Sequence, residues 1–148
     1  MRKLTTTLLV AVSVLALGLV GAAPAHAAAR MQIHRVYYNS PGSDNGSNAS
    51  LNAEWVQIRN TSRVPVTITG FVLHDRQGHR YTFPPTTVNP GKDVYVHTGS
   101  GKNNPWHRYW GRRAYVWNNT GDGATLRDTY GRWLDACAWG NGSGSIYC

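Results

Sequence analysis

The sequence predicts an all-β protein, an antiparallel β-sandwich, and three observations carry that prediction. Val56 and Ile58 alternate with Gln57 and Arg59, the period of a strand with one dry and one wet face. Similar short segments follow, separated by clusters of Gly, Pro, Asn, Asp and Ser at a spacing of roughly 8–12 residues, as sandwiches require. Beyond the N-terminus, no stretch sustains the i, i+3, i+4, i+7 pattern of an amphipathic helix.

The N-terminus belongs to a different class of segment. Arg2-Lys3 precede an apolar run from Leu8 to Val20, and Ala25-His26-Ala27 supplies a small-x-small cleavage site. This pattern predicts a secretory signal peptide over residues 1–27, a secreted product, and one sandwich domain over 28–148. The apolar run is shorter than the roughly 20 residues of a membrane span, and no cysteine follows it to take a lipid. Without Arg2 and Lys3 the chain keeps 13 basic residues against 7 acidic ones, a net charge of +6. Only Lys92 and Lys102 of those 13 are lysine. Arginine favours planar, multi-donor contacts with carboxylates, phosphates or aromatic faces.

The elements follow in order. Residues 31–38 (MQIHRVYY) read as a first strand, with Ile33, Arg35 and Tyr37 on one side and His34, Val36 and Tyr38 on the other. Residues 40–48 read as a polar loop, and Glu54 to Asn60 as the second strand. Pro65 to Asp75 reads as a third strand bent at Gly70, where the apolar phase slips from Val66 and Ile68 to Phe71 and Leu73. Arg80 to Phe83 is a fourth, ended by Pro84-Pro85. Asn89-Pro90-Gly91-Lys92 places proline and glycine where a type II turn needs them. Val94 and Val96 then alternate with Tyr95 and His97. Residues 99–111 look irregular, 114–117 and 124–128 look like strands, and Trp133 to Trp139 closes the sheet. Cys137 and Cys148 are the two cysteines, without a CxxC pair or a third partner. In an exported chain they predict one disulfide pinning the C-terminus.

Five segments carry a family resemblance: EWVQIRN at 54–60, GFVLHD at 70–75, PGKDVYV at 90–96, VWNNTGD at 116–122 and LRDTYGRWLD at 126–135. In this order they resemble the lamin-tail domain family, including its bacterial secreted members, from about residue 33 to 138. The resemblance implies an immunoglobulin-like β-sandwich. It also implies a binding or positioning role, since bacterial members accompany secreted nucleases and other hydrolases. The chain reads as a secreted, stand-alone member of that family.

The segment from Lys102 to Trp117 is where binding chemistry concentrates. Trp106, Arg108, Tyr109, Trp110, Arg112 and Arg113 interleave rings that stack on sugars or bases with guanidinium groups that neutralise anions. These six are the expected ligand-binding residues. In the competing reading Tyr115 and Trp117 are core, Trp106 and Trp110 close one end of the sandwich, and the arginines are solvated. No metal or other cofactor is expected: Asp44, Asn45, Ser47, Asn48 and Glu54 supply oxygens but not the spacing of a calcium loop. The histidines at 34, 74, 79, 97 and 107 lack HxxxH or HExxH spacing, and His97 and His107 stand at opposite ends of the irregular stretch. Asp122, Asp128 and Asp135 are expected to pin turns.

The expectation is a non-catalytic module that binds an extracellular polyanion, glycan or nucleic acid. A small hydrolase acting on nucleic acid or phosphate esters is the rival, and it requires His74, Asp75, His97 or His107 to converge in one pocket. A protein–protein module using a sheet edge or face is the third alternative.

Overall fold

Alternation becomes strand and punctuation becomes corner through most of the chain. The computed structural model describes residues 30–148; the signal peptide expected over 1–27 lies outside the described residues. In chain order the elements are β1 (Met31–Tyr37), α1 (Asn48–Asn52), β2 (Trp55–Asn60), β3 (Val66–Thr67), β4 (Val72–His74) and β5 (Arg80–Thr82). They continue with β6 (Thr87–Val88), β7 (Asp93–His97), β8 (His107–Tyr109), β9 (Asp122–Arg127), β10 (Trp133–Trp139) and β11 (Ser145–Tyr147). One sheet runs β11-β1-β2-β7-β8, a second β10-β9-β4-β5, and β3 pairs with β6. The ladders are antiparallel apart from β7–β8, which is parallel. No helix of the described residues is long and apolar enough to cross a membrane.

The inner faces meet in one core. Val36, Val56, Ile58, Val94 and Val96 come from the first sheet, and Leu73, Ala124, Leu126 and Cys137 from the second, with Phe83 and Trp117 also buried among them. Period 2 extends the dry face of β2 in both directions. Glu54 and Asn60 share the phase of Val56 and Ile58, and all four are fully buried. Asn60 is satisfied there, its Nδ2 donating to the carbonyls of Val64 and Val88 at 2.8 Å each.

Four details depart from the sequence reading. In β1 the register shifts between Ile33 and Arg35, so Ile33 faces inward with Val36 and Tyr38, while Arg35 and Tyr37 turn outward. The bulge leaves the amide of Ile33 beyond the reach of β11, and Asp135 Oδ2 accepts it at 2.8 Å. Asp135 therefore joins the two sheets and is not confined to a turn. The third predicted strand splits into β3 and β4 at Gly70, which has φ 78°; a Cβ there would lie 2.8 Å from Thr129 Cγ2. Residues 114–117 form no strand, whereas β8 arises within the stretch read as irregular and β11 follows the strand expected to close the sheet. A short helix, α1, caps the polar loop, with Ser47 Oγ accepting the amide of Ser50.

The predicted disulfide is present, Cys137 to Cys148, with Cα atoms 5.7 Å apart. Cys137 lies on β10, the edge of the second sheet, and Cys148 follows β11, the edge of the first. The bond therefore staples one side of the sandwich shut.

Candidate functional site

The outward-facing positions of the five-stranded sheet carry the aromatic residues. They alternate with the buried valines, and the registers align them in two rows across the strands. Tyr147, Arg35, Gln57, Tyr95 and His107 are successive cross-strand partners, as are Tyr37, Trp55, His97 and Tyr109. Neighbouring rings touch. Tyr37 stacks on Trp55 with centroids 5.4 Å apart, and Trp55 meets Tyr95 edge-on at 5.3 Å. Tyr95 stacks on His107 at 5.4 Å, His107 contacts His97 at 5.1 Å, and His97 stacks on Tyr109 at 5.1 Å. Such pairs contribute about 0.5–1.5 kcal/mol each beyond burial, so the rings hold one another in a fixed, half-exposed platform.

The cations of this face are engaged. Arg35 lies 4.5 Å over the Tyr147 ring and donates to Tyr147 Oη and Ser145 Oγ at 3.1 Å each. Arg59 forms a bidentate pair with Asp93, at 2.7 and 3.0 Å. Partial burial pushes the Asp93 carboxyl up, but hydrogen bonds from Arg59 and Gln57 outweigh it and hold the group below its usual range. His97 is pushed down by burial, with a smaller contribution from His107, against the opposing hydrogen bond to the Asn52 carbonyl. At neutral pH it is an uncharged ring.

The six residues expected to bind ligand separate into distinct roles. Tyr109 joins the platform, and its ring lies so close to Gly101 that a Cβ there would sit 2.5 Å away. Trp106 is 60% exposed beside it. Trp110 turns inward, 5.7 Å from Tyr81 and 5.9 Å from Trp117. Arg108 also points in: it is buried, donates through Nε to Thr86 Oγ1 at 3.0 Å, and reaches the carbonyls of Asn104 and His107. Arg113 is exposed and Arg112 half-buried, and the Arg112 amide donates to the Thr98 carbonyl at 2.9 Å. Asn103 and Asn104 accept the amides of Tyr109 and His107, at 3.1 and 2.9 Å. Those side chains cap the outer edge of β8 against strand addition.

Glu54 holds the end of this segment. Its carboxylate accepts Thr98 Oγ1 at 2.6 Å and the amides of Val116 and Trp117 at 3.1 Å each. Burial raises its pKa to about 7, although these three hydrogen bonds pull the other way. Tyr115 ties the same segment to α1, its hydroxyl 2.7 Å from Ser50 Oγ. The carboxylates of the 44–54 segment are thus occupied by donors: Asp44 also bonds Ser40 and Asn119. Among the described residues no three His, Cys, Asp or Glu side chains gather as metal ligands would.

The four residues of the hydrolase alternative fall into two places. His97 and His107, ten residues apart, meet on the first sheet because β8 pairs parallel to β7. His74 and Asp75 lie at the end of β4 in the second. Asp75 is bonded to His79, through its amide at 2.7 Å and Nδ1 at 2.5 Å, while His74 Nε2 accepts Arg127 Nε at 3.2 Å. The outer face of this second sheet is a different surface: Arg127 pairs across to Trp133 and Val72, and His74 to Thr125 and Arg80. Trp133 and Tyr130 stand exposed at its end.

The aromatic platform was visible in part. Trp55, Tyr95 and His97 occupy the phase opposite the valines of their strands, and wet-face aromatics are unusual enough to mark a surface. For Glu54 the available signal is its phase, shared with the dry face, against which its charge argues for water.

Two sheets, antiparallel but for β7–β8, packed face to face over one core define an immunoglobulin-like β-sandwich domain, here with one aromatic outer face. The model of the Lamin Tail Domain matches residues 24–141, and the chain belongs to that family. No curated protein matches it.

Proposed function

We propose that this chain is a secreted, non-catalytic binding module that holds an extracellular glycan against the aromatic face of its five-stranded sheet. The observation that carries the proposal is the continuous series of ring contacts from Tyr37 through Trp55, Tyr95, His107 and His97 to Tyr109, on the sheet face opposite the core. Rings fixed in place before binding lose little entropy when a ligand arrives. The apolar C–H faces of sugar rings suit the negative faces of such a platform. A phosphate backbone would need free cations, and Arg35 and Arg59 already have partners. Lys102, Arg112 and Arg113 sit at the margin, where they favour acidic substituents on the glycan without dominating binding. The disulfide supports an oxidising, extracellular setting. The separation of His74 and Asp75 from His97 and His107 supports a non-catalytic role.

The test is titration of the purified, disulfide-bonded protein with insoluble cell-wall polysaccharide, cellohexaose, chitohexaose, polygalacturonate and DNA, at low and high salt. Binding to glycan that survives salt, leaves the polymer intact and is lost in Trp55→Ala supports the proposal. Binding to DNA alone, with a steep salt slope, contradicts the glycan reading. Release of shortened polymer contradicts the non-catalytic one.

A further inference from the structure

We infer that His107 Nε2 is a fixed hydrogen-bond acceptor on the platform, a subsite for a hydroxyl group of a neutral sugar ring; this deepens the glycan reading and rests on it. The inference follows from a relay of three groups. The Asn52 carbonyl can only accept, so His97 Nδ1, 2.7 Å away, carries the proton. In the neutral ring His97 Nε2 is then a lone pair, and His107 Nδ1, 2.9 Å from it, must be the donor. That leaves the lone pair of a neutral His107 on Nε2. Among the described residues this atom has no hydrogen-bond partner, and it is not among the buried unpaired atoms. It faces solvent.

A backbone carbonyl thus sets the tautomer of a surface histidine through a second histidine. The ring of His107 is held flat on Tyr95, at an interplanar angle of 25°, so the acceptor is fixed in direction as well as in kind. A sugar lying on Tyr95 and Trp55 can donate one hydroxyl to it. A phosphate or carboxylate oxygen carries no hydrogen and would face the lone pair. The subsite therefore discriminates in favour of donors, which the rings alone do not.

Protonation reverses this preference. The bond from Nδ1 to His97 can persist when His107 gains a proton on Nε2, and the acceptor becomes a donor. The groups facing the pair are Tyr95 from β7, Tyr109 from β8 and the Asn52 carbonyl from α1. Burial holds the Tyr95 hydroxyl above its usual range, so it stays neutral. The charges of this sheet face, Arg35 and the Arg59–Asp93 pair, are each bonded to their own partners. Neutral-glycan binding should accordingly weaken wherever His107 is doubly protonated.

Long-range nitrogen–proton NMR of the imidazole rings at pH 8 tests the relay directly. Protons on Nδ1 of both His97 and His107 are expected; a proton on His107 Nε2 would overturn the inference whatever the ligand does. Titrations with cellohexaose and chitohexaose test the subsite. His107→Phe keeps a stacking ring without an acceptor, and a loss of about tenfold at pH 8 is expected. If wild type binds, Trp55→Ala weakens binding and His107→Phe matches wild type, the subsite is refuted and the platform stands. If wild type binds neither oligosaccharide, the neutral-sugar subsite is refuted, and the platform falls with it only if the cell-wall polysaccharide and polygalacturonate also fail to bind.

Discussion

The two outer faces of this sandwich are built on the same pleat and offer different chemistry. On the five-stranded sheet the exposed phase is filled by rings that contact one another, and the arginines among them are consumed by Tyr147, Ser145 and Asp93. On the four-stranded sheet the exposed phase holds Arg80, Arg127, His74, Thr125 and small residues such as Ala136 and Ala138. A basic, aromatic chain need not mean one basic, aromatic site. Both faces mix rings with cations, but only the first carries a continuous run of ring contacts; on the second, Trp133 pairs with Arg127 and Arg132 lies over Tyr130 at its end.

The largest expected effect breaks the aromatic side at its anchor. Glu54→Ala leaves Thr98 Oγ1 and the amides of Val116 and Trp117 without their acceptor, all buried. The expected cost is about 3–5 kcal/mol of stability, read as a lower denaturant midpoint. The same carboxyl gives a pH signature. Its folded value of about 7 lies above the ordinary 4.5, so folding takes up a proton. The stability it contributes is fully present below about 4.5 and is lost as pH rises through about 7. The difference in unfolding free energy between wild type and Glu54→Gln should shift by about 3 kcal/mol across that window. A flat difference curve would show that the three hydrogen bonds fully offset the effect of burial. Comparing the two curves cancels His97, whose lowered value works in the opposite direction.

Joining the two faces comes next in size. Reducing Cys137–Cys148 opens the side of the sandwich where β10 and β11 meet, at a cost of about 2–3 kcal/mol. Asp135, which bonds the Ile33 amide across the same side, should keep the sheets packed. Glycan affinity should therefore change little in reduced but folded protein. Binding that disappeared on reduction, with the sheets still packed, would place the site at that seam.

Substitutions on each face then sharpen the contrast. Trp55→Ala removes a ring that touches both Tyr37 and Tyr95, and should weaken glycan binding by about 2 kcal/mol, or roughly 30-fold, as a central anchor does. Gly101→Ala pushes Tyr109 aside and should cost a smaller factor. Arg112→Ala with Arg113→Ala should reduce affinity for acidic glycans by only a few-fold, and only at low salt. Arg80→Ala with Arg127→Ala, on the opposite face, should leave isotherms unchanged.

The sequence made one half of this contrast legible. Alternation placed the strands, motif order gave the family, and cysteine count gave the disulfide. What it hid was non-local. His97 and His107 are separated by a loop, and only the parallel pairing of β7 with β8 brings them within hydrogen-bonding distance. Residues 106–110 (WHRYW) read as one basic aromatic cluster, yet a three-residue strand sends His107 and Tyr109 out and turns Arg108 in. Composition cannot show that alternation over so short a run. The bulge at His34 likewise reversed the faces of Arg35 and Tyr37, because one inserted residue flips every side chain after it. Glu54 was hidden by its charge, which argues for water, although its phase argued for the core.

The most direct test of the account is amide chemical-shift mapping during titration of the protein with the oligosaccharide it binds. The account predicts shifts confined to residues 35–37, 55–57, 95–97 and 107–109, on the aromatic face. Shifts gathered instead at 72–74, 80–82, 125–127 and 133 would place the ligand on the cationic face and contradict it.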